Sequence, residues 1–220
     1  KGLVATNHHC AYGTIQFNST PEHNLLENGF VVRSPEDELQ AAPGSRVYVT
    51  LAVSDVTDEV LATVPGGADG AARFKAIENA EKELIAGCEE TPGHRCRVAS
   101  FNGGLQFLLY DRLEIRDVRL AYAPPSSSGK YGGDIDNWMW PRHTGDFSYM
   151  RAYVGADGEP ADYSPNNIPY TPKRVIKVAP AGVDEGDFVF ILGYPGRTYR
   201  HRTSHFLAFE EEVRMPAVVE

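Results

Sequence analysis

Two stretches of the chain hold residue types that could do chemistry. The first, GLVATNHHC (2–10), runs an apolar, strand-like segment into a Thr-Asn turn and sets His8 and His9 directly before Cys10. A histidine held at the end of a strand can turn one ring nitrogen to a cleft and the other to a carboxylate, which is what a general base needs. Adjacent histidines on a strand face opposite sides, so only one of the two can serve. The plainer reading is a partly buried structural histidine. The second stretch, KYGGDIDNWMWPRHTGDFSYMRAYV (130–154), gathers Asp134, Asp136 and Asp146 with both tryptophans of the chain, Trp138 and Trp140, and with His143. A packing core has little use for that mixture, although a turn at Gly132–Asp134, a tryptophan lid and a capping Asp146 would explain it without catalysis. Together the stretches say more: an early histidine followed much later by an aspartate is the chain order of the chymotrypsin-like triad, in which the serine comes last.

Groups so far apart in sequence must be brought together by the elements between them. Short runs of strand character dominate. RVYVTLAV (46–53) alternates Val47, Val49, Leu51 and Val53, the period of a half-buried strand. LQFLLY (105–110), DFSYMRAYV (146–154), RVIKV (174–178) and FVFILG (188–193) are predicted strands of the same kind, and GADGEP after Val154 is a hairpin-type turn. In RLEIRDVRLAY the apolar positions slip phase between Ile115 and Val118, which predicts a bulge. DGAARFKAIENAEKELIAG predicts a helix inserted between strands, with Asp69 as cap, Glu78 and Lys82 paired across one turn, an apolar stripe of Phe74, Ile77, Leu84 and Ile85, and a stop at Gly87. SHFLAFEEEVRMPAVVE reads as helical up to Pro216. The expectation is a mainly β fold, a barrel or sandwich with helical additions.

Composition narrows the partners. With 21 basic against 30 acidic residues the formal net charge is −9, which argues against nucleic acid or an anionic membrane surface. No apolar run reaches the roughly 20 residues of a membrane span. Lys1 falls inside a strand-like run, so the given ends are read as cuts within a longer chain. Cys88 and Cys96 flank a Gly- and Pro-containing turn short enough to close as a local disulfide, the preferred reading over two free thiols, and one that favours an oxidising compartment. C-x7-C is not a zinc spacing and no second pair exists, and the remaining histidines share no ligand spacing with a carboxylate, so neither metal nor cofactor is expected. Cys10 is the odd one of the three, and its partner is expected upstream of the cut.

GLVATNHHC, GGDIDNWMWPRHTGDFSYMRAYV and ILGYPGRTYR, at the start, middle and end of the chain, resemble the bacterial periplasmic serine dipeptidyl-peptidases known as dipeptidyl-peptidase seven and eleven. The tryptophan-rich stretch is the most specific of the three. The resemblance implies a chymotrypsin-like double β-barrel, of which residues 1–200 would form part, with residues 201–220 opening an inserted α-helical domain. It further implies a homodimeric enzyme that removes dipeptides from the free amino terminus of oligopeptides. Position by position it implies that His9, the histidine before the cysteine, is the general base, that Asp146 in HTGDFS is its triad partner, and that Asn137 and Trp138 hold the substrate's amino terminus. An amide oxygen accepts from an ammonium, and an indole wall limits how far a peptide can enter.

One part of the family pattern is missing. Its nucleophile sits in a Gly-Asn-Ser-Gly type turn whose backbone N–H groups form the oxyanion hole. After Asp146 the serines are Ser148, Ser164 and Ser204, none followed by glycine, and Ser128 precedes Asp146. The chain is therefore expected to be a catalytically inactive piece of the enzyme, its serine lying elsewhere. Two other classes stay open: a trypsin-like endopeptidase or inactive relative, which would use His9 and Asp146 but not Asn137 and Trp138, and a non-catalytic peptide-binding β-domain.

Overall fold

The computed structural model describes residues 1–133, 143–190 and 201–219. The chain divides into two compact units, residues 1–175 and 176–220.

Unit one is built on two antiparallel sheets, which remain open among the described residues. In the larger, β1 (Leu3–Thr6), β8 (Ser148–Val154), β7 (Asp117–Ala123) and β2 (Phe30–Val31) lie side by side, with β3 (Leu39–Gln40) also on β7 and β9 (Ile168–Pro169) also on β8. The smaller has the order β4 (Val47–Asp55), β6 (Gln106–Ile115), β5 (Arg97–Phe101). The sequence implied a mainly β fold with helical additions; the structure is a mixture of strand and helix, and its antiparallel sheets do not close into a barrel among the described residues.

One face of the larger sheet is apolar. Val118 and Leu120 of β7 and Met150 of β8 meet Ala11 and Ile15 of the helix α1 (His8–Phe17), with Val4, Leu25, Phe30 and Leu39 around them. Leu120 and Ile15 are fully buried, and each such side chain contributes about 1.5–3 kcal/mol of transfer free energy. The other face is charged yet also buried. Arg119 and Arg151 are directly opposed across β7 and β8, a pairing that would repel, but each has its own carboxylate. Asp117 receives Arg119 at 2.7 and 3.0 Å, and Glu38, its side chain fully buried, receives Arg151 at 2.7 Å and the Tyr153 hydroxyl at 2.8 Å. The Arg119 guanidinium also stacks 3.8 Å from the Tyr153 ring centroid.

On the smaller sheet, α3 (Thr57–Ala62) and α4 (Gly70–Cys88) cover Phe107, Val98 and Leu109 with Val60, Ile77, Ala80 and Leu84. The sequence reading of α4 holds closely. Asp69 Oδ1 accepts from Ala72 N at 2.8 Å, and Lys82 Nζ donates to Glu78 at 2.7 Å. Phe74 departs from it: the residue is 69 % exposed rather than part of a buried stripe.

Other expectations are corrected. His8 and His9 are not on a strand; β1 ends at Thr6 and both lie in the first turn of α1. The phase slip is real but double: Arg116 separates β6 from β7, and the β7–β8 register shifts between Leu120 and Tyr122. LQFLLY and RLEI form one strand, β6, rather than two segments.

In unit two, Arg174–Val178, which starts at the end of unit one, and Phe188–Phe190 carry the strand pattern but form no strand. A strand needs a ladder partner, and none is supplied to them among the described residues. Ile176, Val178, Phe188 and Phe190 are accordingly 70–90 % exposed. The rest of FVFILG lies outside the described residues. The closing helical run passes Pro216 instead of stopping there: Ser204–Phe209 is α-helical, Glu210–Arg214 widens into a π-helical turn, and Met215–Val219 continues as α-helix. The wide turn directly ahead of the proline absorbs the lost N–H and the ring.

Candidate active site

Strand β1 delivers the histidines and β8 delivers the carboxylate. Antiparallel pairing sets Thr6 opposite Ser148, so the residues just beyond, Asn7 to His9 on one side and Asp146 on the other, converge at the same end of the sheet. The His9 Nδ1 and Asp146 Oδ2 atoms are 2.6 Å apart. Asp146 Oδ1 accepts from the His9 backbone N–H at 3.0 Å, and the Asn7 side-chain amide donates to Asp146 Oδ2 at 3.2 Å and to its backbone oxygen at 3.1 Å. With Nδ1 engaged by a carboxylate, the imidazole is held in the tautomer whose Nε2 carries a lone pair, and the ring is 70 % exposed.

Asp146 thus has a second role that its distance in sequence conceals. Asn7 stands at the N-cap of α1 but its side chain makes no capping bond; the exposed N–H of His9 is satisfied by Asp146 instead. Partial burial opposes ionisation of Asp146, but the His9 N–H, the His9 ring and the Asn7 amide outweigh it, and the carboxyl is held below the ordinary aspartate range.

His8 faces the opposite way, into the protein, with 1 % exposure. Burial pushes its pKa down, against the pull of Asp146 and with a smaller push from His9. Its Nε2 lies 3.5 Å from Ser126 Oγ, and its Nδ1 has no hydrogen-bond partner among the described residues. The short helix α5 (Ser126–Gly129) bridges the two sides of the site: Gly129 abuts the His8 ring, and Ser128 O accepts from the N–H of Gly145, the neighbour of Asp146, at 3.0 Å. Beside Asp146, Phe147 stacks on Tyr122 with centroids 5.6 Å apart and meets Tyr149 edge-on.

The structure therefore brings His9 and Asp146 together and separates His8 from them. Asn137 and Trp138, with Asp134, Asp136 and Trp140, lie outside the described residues. Ser148 is fully buried in β8 and its hydroxyl has no partner among the described residues, so it is no nucleophile for His9. Sequence reasoning missed Asn7, Gly129 and Gly145; the one available signal was Asn7, an N-cap residue type directly before an apolar-periodic run.

The sequence matches the peptidase S46 family over residues 1–220. The chain belongs to that family. It is 50 % identical over 216 residues to the Asp/Glu-specific dipeptidyl-peptidase of Shewanella putrefaciens, covering 98 % of this chain and 29 % of that protein. It is 42 % identical over 221 residues to dipeptidyl-peptidase 7 of Capnocytophaga gingivalis, covering 100 % of this chain and 30 % of that one. Among solved structures, Porphyromonas endodontalis DPP11 in complex with the dipeptide Arg-Asp superposes with a TM-score of 0.86 at 41 % identity, over 97 % of this chain and 31 % of that structure. This S46 chain thus spans about 30 % of the length of the curated relatives it matches.

Proposed function

We propose that this chain is part of a serine exopeptidase that releases dipeptides from the free amino terminus of oligopeptides, and that His9 and Asp146 are two members of its Ser-His-Asp triad. The observation that carries the reading is the 2.6 Å contact between His9 Nδ1 and Asp146 Oδ2, made across 137 residues of sequence. It is supported by relatives named dipeptidyl-peptidases and by a similar structure holding a dipeptide.

In this mechanism the nucleophilic hydroxyl comes from a part of the protein outside these residues. His9 Nε2 takes its proton as the hydroxyl attacks the scissile carbonyl, then gives that proton to the departing amine. Asp146 keeps Nδ1 protonated and stabilises the imidazolium that forms between the two transfers. Asn137 accepts from the substrate ammonium and Trp138 closes the cleft behind it, converting an open groove into one that measures two residues. Asp134 and Asp136 have no catalytic role in this reading.

In the whole protein we assign residues 1–200 to a chymotrypsin-like double β-barrel and 201–220 to the opening of an α-helical domain. The exposed strand-patterned segments at 174–178 and 188–190 would then be strands of the second barrel, awaiting their ladder. The enzyme would be a periplasmic homodimer with no cofactor, and this chain alone would be inactive.

Asp146→Asn in the full-length enzyme tests the triad. The expected loss in kcat is about 10⁴-fold, the effect of the same change in the chymotrypsin-like triad; an unchanged kcat would remove Asp146 from the mechanism. Asn137→Ala separates exopeptidase from endopeptidase. It should cost most of kcat/KM on dipeptidyl substrates, whereas an endopeptidase would keep its rate.

A further inference from the structure

Among the described residues, one set of three ligating side chains converges outside the dyad. Helix α4 ends at Cys88, a loop returns the chain to β5, and at the close of that loop Cys96 is disulfide-bonded to Cys88 with the Cα atoms 6.2 Å apart. Asp111, in the middle of β6, faces the pair. Its Oδ1 lies 3.9 Å from Cys96 Sγ, and one ligand atom each from Cys88, Cys96 and Asp111 fall within 4.8 Å of one another. The same carboxylate oxygen is 2.6 Å from His94 Nδ1.

The loop is held in place by bonds other than the disulfide. Glu89 accepts from the Cys96 N–H at 3.0 Å and pairs with Arg95 at 3.2 Å. Arg95 N donates to Arg112 O at 2.7 Å, Glu114 N donates to Gly93 O at 2.9 Å, and His94 bridges Leu113. Opening the disulfide would leave both sulfurs close to Asp111, in a site where Cys96 is 6 % exposed.

We propose that, when the disulfide is reduced, this cluster binds one soft divalent cation through the Cys88 and Cys96 thiolates and the Asp111 carboxylate, with His94 orienting Asp111 from behind. A dithiol reductant supplies two electrons and two protons, becomes a disulfide itself, and leaves two thiols on the protein. The cation then displaces those two protons, and each sulfur donates a lone pair to it. Two thiolates and a carboxylate suit zinc-like ions, with water in the fourth position. Ligating carboxylates are themselves hydrogen-bonded, and His94 Nδ1 at 2.6 Å supplies that bond to Asp111. The C-x7-C spacing hides the site because two of its four members arrive from outside the pair: Asp111 from a facing strand and His94 from within the loop. The inference does not rest on the peptidase reading.

The test is a cobalt(II) titration of the full-length protein under anaerobic conditions, with and without prior reduction by a phosphine, followed by zinc competition. Reduced protein should gain thiolate-to-cobalt absorption saturating at one equivalent, and zinc should abolish it. Oxidised protein and Cys88→Ser/Cys96→Ser should gain none, and Asp111→Asn should bind at least tenfold more weakly. Circular dichroism of every sample checks the fold. Reduced, folded protein without the absorption overturns the proposal, as does an unchanged affinity in Asp111→Asn. Should that variant misfold, zinc protection of Cys88 and Cys96 from alkylation in the unmutated reduced protein decides instead: protection supports the site, and equal alkylation rates with and without zinc overturn it. Reduced protein that loses its fold and does not regain it with zinc also overturns it.

Discussion

Gly129 lies so close to His8 that a Cβ placed on it would stand 2.5 Å from Cγ of the imidazole. Space demands this glycine, because its backbone is not in the left-handed region. His8 cannot retreat, being buried at 1 % exposure behind the first turn of α1. Gly129→Ala should therefore destabilise the protein by about 1–3 kcal/mol, the range for overpacking. Urea unfolding measures the cost, and a His8→Ala background should remove most of it, since contacting residues are not additive. Equal costs in both backgrounds would disconnect the two residues.

Asp146 should titrate below the ordinary aspartate range. Burial works against this, but the bonds from His9 and Asn7 prevail. A depressed folded-state value means that the unfolded chain binds the proton more tightly. The stability contributed is then complete above the unfolded value and is lost as pH falls through the folded one. Carbon-13 detection of the carboxyl group should find the low midpoint, and Asn7→Ala should raise it. A midpoint unmoved by Asn7→Ala would remove that amide from the site.

His8 should titrate below the ordinary histidine value of 6.5, because burial disfavours its charged form. The unfolded chain takes up this proton first, so stability declines as pH drops from 6.5 toward the folded-state value and is full above 6.5. Imidazole proton shifts should place the His8 midpoint below 6.5. A midpoint at or above 6.5 would contradict the burial of His8.

The carboxylate of Glu38 is the shared acceptor for Arg151 and Tyr153 on the charged face of the larger sheet. Glu38→Ala strips both of their partner and should cost about 3 kcal/mol, as expected for an uncompensated buried charge. Tyr153→Phe, which leaves the ion pair, should cost about 1 kcal/mol. Thermal unfolding distinguishes them, and a cost for Glu38→Ala no larger than for Tyr153→Phe would deny the network its importance.

Burial first and the Glu38 carboxylate second push the Tyr153 phenol up to about 12. A raised folded-state value means that its stabilising contribution is full below the ordinary tyrosine range and disappears as pH rises through about 12. Near-ultraviolet absorbance should show one tyrosine ionising late, and Tyr153→Phe should delete that step.

What could be read from the sequence was whatever announces itself locally. Helix α4 declared its cap at Asp69 and its pair at Glu78 and Lys82, and both stand in the structure. The closeness of His9 and Asp146 was reachable from chain order and from resemblance. Helix α1 was not, because the group that caps it is Asp146, far outside any local window. The charged face of β7 and β8 was also hidden: nothing in the spacing of Asp117, Arg119, Arg151 and Tyr153 reports that Glu38, far away in sequence, supplies the shared carboxylate partner of Arg151 and Tyr153. The segments at 174–178 and 188–190 carry a strand pattern without a partner, and alternation cannot report whether a ladder is present.

The pairing of β1 with β8 sets the order in which this site can come into being. Its register joins Leu3 to Arg151, so the first strand waits for nearly the whole of unit one before it has a neighbour. Sheets made of such distant partners fold slowly, on the scale of milliseconds to seconds. During synthesis, a growing chain that has not yet reached Asp146 owns His9 but lacks the carboxylate it meets, and the pair is complete only when the eighth strand emerges.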